Sequence, residues 1–124
     1  IIANKMKVVN ELHASYFIVT KEDMHRFHFI KGDLEGVVNS PLQIKGLKLS
    51  ISLREDTERH NLVLVSLRSS NGFHCQPMAV QFFNGGGHAD ASGGKLYCSI
   101  TEAEQIVLKA LLAFQDELKR KKKN

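Results

Sequence analysis

A chain of 124 residues, 43% of them hydrophobic, is enough for one domain with an ordinary core. A mean hydropathy of −0.19 and the lack of any long apolar run exclude a membrane-spanning helix. The net charge of +4 suits an anionic partner, but the run Lys119-Arg120-Lys121-Lys122-Lys123 supplies that excess, and without it the domain is about neutral. Charge alone therefore does not define a nucleic-acid binder.

From Ile2 to Leu12, apolar Met6, Val9 and Leu12 recur with Lys5 and Lys7 between them. This spacing predicts the end of a helix over residues 1–12 that joins the domain to something upstream. Ile1-Ile2-Ala3-Asn4-Lys5 has no initiator Met and no signal-peptide apolar region, as expected of a segment inside a longer protein. Tyr16-Phe17-Ile18-Val19-Thr20 reads as a buried strand from its aromatic and β-branched content. Thr20 can cap a short helix with Met24 and Phe27 inward, and a second short helix is expected over 33–42, ending near Pro41.

Leu47 to Leu53 alternates apolar and polar residues, and Asn61 to Leu67 is its more apolar return strand across the charged loop 54–60. Pro77 fits the first turn of a helix that runs to about Phe83. Asn84-Gly85-Gly86-Gly87 ends it, and a final strand, Lys95-Leu96-Tyr97-Cys98, follows a segment of small residues. The last helix is capped by Ser99 or Thr101, with Glu102 or Glu104 completing a capping box. Its apolar stripe is Ala103, Ile106, Val107, Ala110, Leu111, Phe114 and Leu118. The predicted fold class is α/β: a single domain with a mixed β-sheet of about five strands flanked by helices.

Cys75 and Cys98, the only cysteines, form neither a CxxC pair nor a zinc-ligand pattern. They read as packed thiols, which points to an intracellular, cytoplasmic setting. His13, His25, His28, His60 and His74 show no ligand spacing. No metal site is expected in the chain.

Gly85-Gly86-Gly87-His88 carries the strongest local signal. Glycines let backbone N–H groups approach a ligand unobstructed by Cβ atoms. If a helical turn follows them, those groups converge on one spot and make an anion cradle, with His88 at its mouth as a donor. The lysine of a Walker loop and the spacing of a dinucleotide fingerprint are both absent. Ser66-Leu67-Arg68-Ser69-Ser70 ends a buried strand, where sites gather in α/β sheets, and Arg68 offers a fork for phosphate. In Glu35-Gly36-Val37-Val38-Asn39, Glu35 and Asn39 share a face if the segment is helical.

Those three elements occur in the order and at about the separations found in the DHH-associated C-terminal domain. The chain resembles that family, part of the DHH phosphoesterase superfamily, over nearly its whole length. The domain occurs in RecJ-like exonucleases and in NrnA-like enzymes, which act as nano-RNases and phosphoadenosine-phosphate phosphatases. The combination here looks most like the NrnA branch. The resemblance implies that residues 13–124 form a substrate-binding domain in which Arg68, Gly85, Gly86, Gly87 and His88 hold the phosphates and sugar of a short oligonucleotide or nucleoside phosphate. Ser66, Ser69 and Asn39 are further candidates for the same site. It also implies a covalently preceding DHH domain, with two Mn²⁺ (manganese) ions that activate water, and hence an inactive fragment on its own. There His88 would stabilise charge in the transition state. Where the family often has alanine before the final glycines, this chain has Ser92. The competing expectation is a freestanding nucleic-acid-binding module like that of alanyl-tRNA synthetase. It calls for a basic, aromatic-studded face outside the tail.

Overall fold

Leu49, Ile51 and Leu53, followed by Val63, Val65 and Leu67, place one apolar face on each of two successive strands. In the computed structural model, which describes residues 6–9, 12–22, 47–70 and 72–119, these become β3 (Leu49–Glu55) and β4 (Val63–Ser69). They are the centre of a six-stranded sheet with β1 (Met6–Val9), β2 (Ala14–Val19), β5 (Gly86–His88) and β6 (Ala91–Leu96), in the order β1-β2-β3-β4-β6-β5. Only β2 and β3 are parallel; the other four pairings are antiparallel. The sheet is mixed and the class α/β, as expected, with the three-residue β5 as an added edge.

Among the described residues the helices are α1 (Gln76–Phe82), α2 (Ile100–Ala113) and α3 (Gln115–Lys119). Pro77 lies in the first turn of α1, where its missing N–H costs nothing. Ser99 and Glu102 close the predicted capping box on α2: the Ser99 hydroxyl accepts from the Glu102 amide, and the Glu102 carboxylate accepts from the Ser99 amide. The core joins Leu49, Ile51, Leu53, Val63, Val65 and Leu67 to Met78, Ala79, Ala103, Val107, Ala110 and Leu111. The helices thus seal one sheet face. Phe114 closes that layer, meeting Phe73 and Phe82 edge to face at 6.1 and 6.2 Å.

The pleat sends Ser50, Ser52, Leu64, Ser66 and Arg68 to the other face. Ser15, Phe17, Ser50 and Ser52 are buried there, whereas Leu64, Ser66 and Arg68 are half-buried. The open part of this face therefore lies along β4 and β6.

Three sequence expectations need correction. Met6–Val9 is a strand and not the end of a linker helix: its backbone pairs antiparallel with Ala14–Phe17, and the Val8-Val9 pair suits a strand. An i, i+3 apolar spacing over so short a stretch does not separate the two states. The β3 and β4 boundaries lie two residues later than the alternation suggested. Finally, Gly86–His88 and Ala91–Leu96 form a hairpin, so the glycines lead into no helical turn and the last strand starts well before Lys95. The helices expected after Thr20 and over 33–42 lie, beyond Glu22, outside the described residues.

Candidate functional site

Arg68 is the penultimate residue of β4 and points away from the helices. One guanidinium nitrogen, Nη1, donates to the Leu67 carbonyl at 2.7 Å and reaches the Ser92 carbonyl of β6 at 3.5 Å, a much weaker contact. The fork is thereby set across the face between two strands. In register, Ser50 of β3, Arg68 of β4, Ala91 of β6 and His88 of β5 form one row across the sheet. With strands about 4.8 Å apart, the Arg68 and His88 backbones are roughly 10 Å from each other. Alanine between them leaves the row low where long side chains from both flanks can meet a ligand. The row continues on the other side through Ser15 and Ser50, whose buried hydroxyls have no hydrogen-bond partner.

The hairpin that carries His88 is held in an unusual way. A two-residue hairpin loop favours turns with positive φ, yet φ is positive at neither Ala89 nor Asp90. Contacts from outside the turn fix it instead. The Ser69 amide donates to the Asp90 carbonyl at 3.0 Å, and the Gln76 amide to the Ala89 carbonyl at 3.3 Å. The Ser69 hydroxyl donates to Asp90 Oδ1 at 3.0 Å, and His74 Nδ1 lies 3.0 Å from the same oxygen. On the strand side the Ser92 hydroxyl donates to the His88 carbonyl at 2.7 Å. Gly87, at φ +143°, supplies the twist that other residues resist.

Close packing explains the other glycines. A Cβ at Gly85 would collide with the Gly93 carbonyl, and one at Gly94 with the Phe83 carbonyl. The glycine run thus lets the chain leaving α1 lie directly on β6.

Arg68 and His88 share a row, Ser66 lies one step along β4 on the same face, and Gly85, Gly86 and Gly87 form and enter the edge strand. Ser69 points the other way. It is buried, and its hydroxyl both accepts from the Cys75 amide and donates to Asp90. Asn39 lies outside the described residues. The helical anion cradle expected after the glycines is replaced by the hairpin. Sequence inspection set His74 among histidines without ligand spacing and gave Asp90 no role of its own; only the hairpin brings Asp90 to Ser69 and His74.

Among the described residues, no three His, Cys, Asp or Glu side chains gather as a metal-binding set. Cys75 is buried and Cys98 partly so; both are free thiols, and burial, with Glu102 nearby, pushes the Cys98 thiol up. Among the described residues no helix is long and apolar enough to cross a membrane.

Among the described residues, a helix layer on one sheet face, with an arginine and a glycine-histidine hairpin on the opposite side, defines a small domain of α/β type. The family model of the DHHA1 domain matches residues 10–119, and the chain belongs to that family, the accessory domain of the DHH phosphoesterases. Among solved structures it is similar to an exopolyphosphatase-related protein from Bacteroides fragilis, with 43% identity over 96% of this chain and a TM-score of 0.89. The match covers 34% of that chain, so this sequence spans about a third of its relative. The fold is shared with PggH, a pGpG-specific phosphodiesterase from Vibrio cholerae, at 17% identity over 94% of this chain and 36% of that one, TM-score 0.58. It is shared too with the C-Ala domain of alanyl-tRNA synthetase from Aquifex aeolicus, at 12% identity over 94% and 99% of the two chains, TM-score 0.57. No curated protein matches the sequence.

Proposed function

We propose that this domain holds the phosphates of a short oligonucleotide or nucleoside phosphate for a metal-dependent phosphoesterase. The observation that carries the reading is the row joining Arg68 through Ala91 to His88 on the face the helices leave open. Arg68 presents a planar fork to phosphate oxygens. His88 donates to a non-bridging oxygen and stabilises the charge that builds on the phosphoryl group. Gly85, Gly86 and Gly87 keep the backbone beside it bare. Ser66 and Asn39 add polar contacts, and Ser69 acts through Asp90 to place the hairpin. The described residues hold no metal-ligand set. The Mn²⁺ ions belong, in this proposal, to a DHH domain that precedes the chain in its parent protein, and the fragment alone turns over nothing.

The test is made in the parent protein with short oligoribonucleotides and phosphoadenosine phosphate. Arg68→Ala weakens binding by about 1.5–3 kcal/mol, and Arg68→Lys restores little because lysine lacks the fork. His88→Ala lowers kcat/KM by about tenfold to a thousandfold with melting temperature unchanged. Wild-type kcat and KM in Arg68→Ala would overturn the placement of the site.

A further inference from the structure

Among the described residues, the sheet face opposite the helices carries a second cationic row. Arg54 of β3 pairs with Leu64 of β4, and Leu64 with Lys95 of β6, so all three project from the same face as Arg68. Leu64 and Arg68 are four residues apart on β4, about 13 Å at the rise of an antiparallel strand. The ground between the two rows is Ser66 opposite Gly93: one hydroxyl and one bare backbone. A Cβ at Gly93 would press on the Val65 carbonyl, so the middle of the strip stays low.

Among the described strands, the strip has one sign of charge. Of the residues that described strands β2, β3, β4 and β6 send to this face, none is acidic. Glu55 belongs to the other pleat, and Glu55 Oε1 accepts from the Lys21 amide. Asp56, in the loop beyond β3, is turned to its own loop, where its carboxylate accepts from the Glu58 and Arg59 amides. Lys95 is the exposed cation of the row, and its backbone is fixed by a bond from its amide to the Phe83 carbonyl and one from Asn84 Nδ2 to its own carbonyl.

We infer that the Lys95–Arg54 row is a second anion subsite, which takes the following phosphates of an extended phosphate chain whose end is held at Arg68 and His88. A lone phosphate does not span two rows about 13 Å apart. The ligand class is thus a linear phosphodiester or phosphoanhydride chain in preference to a mononucleotide. This rests on the assignment of the Arg68–His88 row above and extends it along β4.

Binding is measured on the parent protein with divalent metals chelated, so that no ligand is consumed, over a series of salt concentrations. The probes are adenosine monophosphate, a tetra-adenylate and an inorganic polyphosphate long enough to span both rows. Each phosphate contacted on a single strand adds about 0.7 to the slope of log affinity against log salt. Lys95→Ala is expected to lower the tetra-adenylate slope by about that amount and to leave adenosine monophosphate unchanged; Lys95→Glu exaggerates the difference. An equal loss with polyphosphate assigns the row to phosphate alone, and a loss confined to tetra-adenylate assigns it to a nucleotide chain; both support the subsite. Both long ligands unaffected, or adenosine monophosphate weakened as much as they are, overturns it. Failure of Arg68→Ala to weaken adenosine monophosphate strikes the first row instead, so the two assignments fail separately. Melting curves confirm that the exposed Lys95 variants stay folded.

Discussion

Asp90 Oδ1 lies 3.0 Å from the Ser69 hydroxyl and so ties the turn of the His88 hairpin to the end of the strand that carries Arg68. Arg68 and His88 come from segments separate in sequence, and this bond helps set their relative position. Ser69 also accepts from the Cys75 amide at the start of α1. One buried hydroxyl therefore joins strand, hairpin and helix.

Asp90→Ala is expected to loosen the hairpin more than the domain. Its carboxylate is half exposed, so the global loss stays near about 1 kcal/mol, the scale of one net hydrogen bond. Amide hydrogen exchange over 86–92 should quicken, while the protection of β3 and β4 is kept. Asp90→Asn retains an acceptor for Ser69 and should restore most of the protection. Equal exchange in wild type and Asp90→Ala would show that the turn holds without its carboxylate.

Ser92→Ala tests the strand side of the hairpin. The Ser92 hydroxyl donates to the His88 carbonyl at 2.7 Å. Alanine removes that donor but leaves a carbonyl that water can reach, so the cost should be about 0.5–1.5 kcal/mol. The affected amides should cluster around His88. Unchanged exchange around His88 in Ser92→Ala would show that the strand side of the hairpin holds without this donor.

How much of this was legible beforehand depended on side-chain pattern. Ser99 and Glu102 announced α2 because a capping box is a local chemical signature. The alternation of Leu49, Ile51 and Leu53 announced β3, although the Lys48 amide bonds to the His13 carbonyl ahead of the ladder and shifts the strand's start. The segment 85–94 was misread because glycine and alanine carry no alternation, so a strand made of them looks like a loop. Arg68 and the glycine-histidine element were visible as chemistry, but their shared row follows from the register of three strands. Asp90 and His74 become partners only through that register.

The glycines differ in what they tolerate. Gly94→Ala drives a Cβ into the Phe83 carbonyl, backbone against backbone with no flexible side chain to yield. It should cost several kcal/mol, on the scale of severe overpacking, or prevent folding. Gly72, at φ +91°, has open space around it, so Gly72→Ala carries only the strain of its dihedral, about 1 kcal/mol. Thermal melts of the two variants should separate clearly. Similar melting temperatures would mean that the chain leaving α1 does not lie against β6 as described.

Tyr16 gives the fold an alkaline dependence of predictable sign. Its ring is buried and its hydroxyl donates to Glu104 Oε2 of α2 at 2.7 Å, so a strand of the sheet is bonded to the helix layer. Burial first, then the hydrogen bond and the negative charge of Glu104, raise the phenol well above the ordinary tyrosine range. An acid whose folded value is raised keeps its proton in the folded state while the unfolded chain ionises. Its contribution is therefore complete below pH about 10 and is lost as pH climbs past that value toward the folded one. Tyr16→Phe should lower stability near neutral pH by about 1.5–3 kcal/mol, the range for a hydrogen bond to a charged acceptor, with the lower end expected because Glu104 is partly exposed. It should also flatten the fall in stability above pH about 10. Denaturant melts of both proteins at neutral and alkaline pH provide the check. A Tyr16→Phe protein that loses stability at alkaline pH as steeply as wild type would place the responsible group elsewhere.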